Sequence, residues 1–186
     1  MNLTPGSDVM FTIATGIKGG MRSGIAAAAG VALGSLCHVA LATFGLAAIV
    51  ATVPWALVAI KWIGVLYLVF LAFRAWTAAP PAQINVQSRT LMRHAMTQGC
   101  LTNMTNPKVA LFIIAFLPQF IDETRGPVWA QMLMLGILFT LSGWVITSVY
   151  GIFAGYLGHK LKKYFATLNK LSAIILGALA VRLAGS

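Results

Sequence analysis

Asp8 is the residue on which any chemistry in this chain must turn. The sequence holds three acidic residues, and Asp122 and Glu123 sit together in a polar turn, so Asp8 is the only acid standing against long apolar runs. It follows Pro5-Gly6-Ser7, a combination that interrupts a helix. In an apolar setting such a carboxylate can hold and release a proton, which coupling to a proton gradient demands. It can also cap the dipole of the helix that starts beside it, and the two roles are compatible.

A second interruption, Thr105-Asn106-Pro107-Lys108, supplies the other candidates. Helices restarting after Pro5 and Pro107 would present free backbone N–H groups and positive dipole ends, with Gly6 leaving room for close approach. Such ends suit a carboxylate or another small anion. Lys108 could attract that carboxylate or neutralise Asp8; the alternative is a lysine that snorkels to an interface. Asn103 and Asn106 fit two roles equally well: satisfying backbone groups freed by Pro107, and touching a ligand. His38, alone in an apolar run, could relay protons, although a hydrogen-bonded packing histidine is the plainer reading.

The elements that position these residues are apolar helices. Hydrophobic residues make up 59% of the 186 residues and charged residues only 9%, where a soluble domain carries about 25% charged residues. A chain of this size cannot hide that much apolar surface in one core, so lipid must cover the remainder. The net charge of +10 does not signal nucleic acid. The basic residues are scattered in ones and twos, and no basic groove with interleaved aromatics is present. Two isolated cysteines, Cys37 and Cys100, suggest neither a disulfide framework nor a metal site.

Charged residues act as punctuation along such a chain. A short first helix follows the Pro5 break, and the loop after it holds Lys18 and Arg22. A second helix is expected at about 24–53, ended by Pro54, and a third at about 55–76. Residues 77–90, with Pro80-Pro81, form the main loop. The apolar stretch 109–121 is too short to span alone, since spanning takes about 20 residues. It therefore joins the preceding stretch as one helix broken near Pro107. A long helix then runs to about residue 157, and the last covers about 168–184. The expected class is an all-α integral membrane protein of six transmembrane helices.

The chain reads as a single polytopic domain of two related halves, about 1–77 and 89–186, joined by the loop 78–88. Each begins at a break and continues with a half-helix, a turn, a long helix and a further helix, and three helices per half makes the repeats inverted. Matched Gly/Pro breaks in two halves point to a transporter's binding site. About 17 residues lead into the second break but only four precede Pro5, so an outer half of the first helix is expected upstream of Met1. Lys18, Arg22, Arg74, Arg89, Arg93, Lys160, Lys162 and Lys163 fall on one face, against Lys61, Arg125 and Arg182 near the other. The richer face belongs in the cytoplasm, which leaves both termini outside a cell (inner or plasma) membrane.

No phosphate-binding glycine loop, paired catalytic carboxylates or Ser/His/Asp set is present. The reading is non-enzymatic, with no cofactor and no metal, and energy would come from an ion gradient or the substrate's own gradient.

At its breaks the sequence resembles the lysine-exporter (LysE-type) superfamily, in its homoserine/threonine-resistance branch. The resemblance rests on an ordered set: Leu3-Thr4-Pro5-Gly6-Ser7-Asp8, Gly20-x-Arg22-x-Gly24, Gly30-x3-Gly34-x3-His38 and Lys61-Trp62-x-Gly64-x2-Tyr67-Leu68. Asn103-x2-Asn106-Pro107-Lys108, Phe116-x-Pro118-Gln119-Phe120 and Leu168-Asn169-Lys170-Leu171-Ser172 continue it through the second half. Ser7 departs from the family's usual second proline at the first break. The resemblance implies six helices and export of amino acids or close derivatives, homoserine- or threonine-like, by proton antiport. It adds Gln119 as a secondary candidate. Implied partners are a small amino acid, protons and the lipid bilayer; a homodimer stays open. The rival reading is a non-transporting scaffold or relic, and a lesser one a channel.

Overall fold

The computed structural model describes residues 6–52, 55–77, 92–157 and 165–185. Every regular element among them is helical: α1 (Ser7–Thr52), α2 (Ala56–Thr77), α3 (Met92–Met104), α4 (Pro107–Phe116), α5 (Val128–Leu157) and α6 (Phe165–Ala184). Two short 3-10 turns, Leu117–Phe120 and Glu123–Arg125, link α4 to α5. The main loop and the basic Lys160, Lys162 and Lys163 lie outside the described residues.

The expected loop around Lys18 and Arg22 is a single residue. Helical geometry runs unbroken through α1 except at Gly20, whose φ of 78° and ψ of −178° divide it into a short arm, 7–19, and a long arm, 21–52. Glycine is required there because a positive φ with ψ near 180° is a region essentially closed to L side chains, at a cost of about 1–3 kcal/mol. The chain folds back at that point. A side-chain carbon built on Gly16 would lie 2.5 Å from the Gly151 carbonyl oxygen, and one built on Gly24 would lie 2.7 Å from the same oxygen. Eight residues of continuous helix would separate those positions by about 12 Å. Lys18 and Arg22 flank the reversal and are exposed, as charges at a membrane surface should be.

Glycine contacts fix the packing. Gly24 meets Gly151 and Gly136 meets Val39, so α5 runs antiparallel to the long arm. Gly30 meets Met96 while Gly34 meets Cys100 and Asn103, so α3 runs parallel to it. The Gly30/Gly34 and Gly151/Gly155 pairs thus do what their spacing suggests: they let backbones touch. In the other layer α2 packs on α6, with Gly64 beside Leu183 and the Lys170 ammonium 6.0 Å from the Trp76 ring. These helices are antiparallel too.

The expected break near Pro107 is present, with a bend of 55° between α3 and the segment that follows. α4 then inserts between the two layers. Phe112 stacks on Phe116 and on Phe139 of α5, at centroid separations of 4.7 and 5.2 Å. Around it Val39, Leu68, Ile113, Met132, Leu176 and Leu183 form the main core.

Outward faces are apolar, which suits lipid rather than water. Phe44, Leu66, Val181 and Tyr156 are each at least 70% exposed. The long arm and α5, each of about 30 residues, exceed the ~20 that a bilayer requires. Asp122 organises the exposed turn before α5: the Thr124 hydroxyl and N–H both donate to its carboxyl, holding it below the usual carboxylate range. Arg125 closes the turn as an ion pair at 2.9 Å.

Candidate functional site

The start of α1 meets the break before α4. Asp8 opens α1 with its side chain buried, and its Oδ2 accepts from Nδ2 of Asn103 at 3.0 Å and of Asn106 at 2.9 Å. The Asp8 main-chain carbonyl accepts from the Thr12 hydroxyl at 2.8 Å. The carboxylate is held unevenly. Oδ2 carries two amide donors, whereas among the described residues Oδ1 receives only the Ser7 hydroxyl, at a long 3.4 Å. Ser7 therefore brings to the carboxylate a donor that a proline could not.

Asn106 performs two tasks with one amide. Its NH2 group holds Asp8, while its Oδ1 accepts from the Lys108 N–H at 3.0 Å and so caps α4. The backbone N–H of Val109 is taken up by the Asn106 main-chain carbonyl. The donors expected to stand free after Pro107 are thus satisfied within the cap, because an asparagine precedes the proline. What α4 offers a ligand is the Lys108 side chain.

Asn103 extends the network toward the long arm. Ser35 donates to its Oδ1 at 3.4 Å, and its main-chain carbonyl lies 3.0 Å from His38 Nε2. A carbonyl only accepts, so this nitrogen of His38 carries the hydrogen.

Gly6, Asp8, Ser35, Asn103, Asn106 and Lys108 line one cavity of about 40 Å³. That is room for roughly three waters and too little for an amino acid, so binding one requires the helices to part. The far wall belongs to α5, through Phe139, Thr140, Gly143, Trp144 and Thr147. This wall was not anticipated from sequence. Its signal is two threonines seven apart, Thr140 and Thr147, on one face of a largely apolar helix. Gln119 stands apart from the cavity, donating to the Ala115 carbonyl within its own segment. Pro5 lies outside the described residues. Among the described residues no group of His, Cys, Asp and Glu could hold a metal ion.

A family model described as LysE type translocator matches residues 1–186. The chain belongs to that family. Among relatives of this LysE-type chain, an uncharacterized membrane protein of Vibrio cholerae is 35% identical, over 91% of this chain and 84% of that protein. A homoserine/homoserine lactone efflux protein of Salmonella typhimurium is 31% identical over the same shares. A leucine efflux protein of Enterobacter sp. (strain 638) is 29% identical over 98% of this chain and 86% of its own length. These relatives support the homoserine/threonine-resistance branch. No solved structure matches the chain. The LysE-type membership and the apolar outer faces together make this a multi-pass membrane protein.

Proposed function

We propose that this LysE-type protein is a secondary exporter of neutral amino acids, homoserine- or threonine-like, driven by proton antiport through Asp8. The observation that carries the proposal is the Asp8 carboxylate at the start of α1, tied to the break before α4 by Asn103 and Asn106 and sharing a cavity with Lys108.

In this reading the substrate enters from the cytoplasm. Its carboxylate meets the Lys108 ammonium, and its own ammonium meets the lightly held Oδ1 of Asp8. A proton arriving from outside takes that same oxygen, weakens the hold on the substrate and resets the carrier. Only a group that exchanges protons inside a low-dielectric site can link the two events.

Two inverted three-helix repeats would provide the moving parts. Corresponding members of inverted repeats run in opposite directions. What supports this arrangement is the antiparallel pairing of the long arm with α5 and of α2 with α6. Rocking one repeat against the other would open the cavity to each side in turn. The Gly20 end faces the cytoplasm in this scheme, as the basic residues around it suggest. Purified protein in liposomes should export homoserine, with a matching proton flux in the opposite direction. Substrate release without proton movement would remove the antiport claim.

A further inference from the structure

Thr140 is buried to 4% exposure, lines the site cavity, and its hydroxyl has no hydrogen-bond partner. Among the described residues Thr43 and Ser148 are likewise without a partner, but of the three only Thr140 lines this cavity. A helical threonine hydroxyl commonly bonds the carbonyl four residues back. Thr147, one cavity wall further along the same helix, does so with Gly143 at 2.6 Å, and Thr12 does so with Asp8 at 2.8 Å. A buried hydroxyl left unpaired is costly, and the parting of the helices that substrate binding requires would open Thr140 to a partner.

That partner must come from the cavity side. Thr140 also borders a larger groove of about 470 Å³, lined with it by Leu33, Leu36, Ile137 and Leu141, whose walls are almost wholly apolar. These four are substantially exposed on the outer surface, where lipid would cover them. Neither lipid nor these side chains can satisfy a hydroxyl.

The charged wall residues, Asp8 and Lys108, sit on α1 and α4, and they suffice for the ammonium and carboxylate that every amino acid shares. α5 contributes no charge to the cavity. We infer that Thr140 sets substrate choice, its hydroxyl pairing with a hydroxyl on the substrate's side chain. This rests on the exporter reading above and deepens it: the preferred class is neutral amino acids bearing a side-chain hydroxyl. A site built to hydrogen-bond a substrate hydroxyl discriminates against analogues lacking one, because its own group is then left unpaired.

The test compares homoserine and leucine export by the full-length protein in liposomes, at concentrations below saturation. Thr140→Val keeps the shape and removes the hydroxyl. It should cut homoserine export roughly tenfold and leave leucine export within about twofold. A second pair, Thr140→Ser and Thr140→Ala, covers the case in which valine folds poorly. Serine should preserve the preference for homoserine, and alanine should lose it. An unchanged homoserine-to-leucine ratio in both hydroxyl-free variants overturns the assignment, as does equal loss of both substrates in well-folded protein. If the wild-type protein exports neither amino acid, the exporter reading itself fails, and the role of Thr140 fails with it.

Discussion

Asn106 holds Asp8 across 98 positions of sequence, Nδ2 to Oδ2 at 2.9 Å, and in doing so fastens the start of α1 to the start of α4. The same amide caps α4 through the Lys108 N–H. Removing it should therefore damage two things that can be separated. Asn106→Ala loses both, and the cap alone is worth about 1 kcal/mol. Asn106→Ser can still cap but is too short to reach the carboxylate. Thermal unfolding in detergent should rank wild type above serine and serine above alanine, with transport impaired in both. Equal stability for serine and alanine would deny the cap its share.

Gly20 makes the reversal between the arms of α1 with open space around it. Gly20→Ala should cost about 1–3 kcal/mol through backbone strain alone, and Gly20→Asn as much, since a ψ of −178° lies outside the left-handed helical region that asparagine tolerates. Gly24 differs, because a side chain there would press on the Gly151 backbone at 2.7–2.8 Å. Gly24→Val should destabilise more than Gly20→Ala, by forcing the long arm off α5. Equal losses at the two positions would deny the close packing at Gly24 its share.

Orientation can be read by labelling. In a background lacking Cys37 and Cys100, single cysteines at Gln87 and Lys162 should be shielded from an impermeant thiol reagent applied to intact cells. One at the exposed Thr124 should react. The reverse pattern would invert the assignment drawn from the basic residues.

Much of this organisation was legible beforehand because membrane helices advertise themselves. Long uncharged runs gave the helices, and proline beside asparagine gave the break before α4. The pairing of Asp8 with Lys108 in one cavity followed from treating the two breaks as equivalents. Other features needed three dimensions. Gly20 looked like part of a loop because Lys18 and Arg22 flank it, yet one residue of left-handed backbone suffices to reverse a helix. Asn106 could have been a ligand group or a cap, and spacing cannot decide between them; its hydrogen bonds make it a cap that also grips Asp8. Thr140 was invisible, since a threonine in an apolar helix ordinarily satisfies itself on its own backbone.

Lys108→Ala should raise the substrate concentration needed for half-maximal transport, because it removes the cation that meets the carboxylate. If Lys108 and Asp8 balance one another in the cavity, the double substitution should cost less folding stability than the two single losses combined. Strict additivity, measured by unfolding of all four proteins, would show that the two charges do not interact.

The most direct test of the account is Asp8→Asn, assayed in liposomes for both gradient-driven export and substrate exchange. Asparagine keeps the size, and its Oδ1 can still accept from Asn103 and Asn106, but it cannot carry a proton. Gradient-driven export should disappear while exchange of substrate across the membrane persists. A well-folded Asp8→Asn protein whose export still follows the proton gradient undiminished would contradict the central claim.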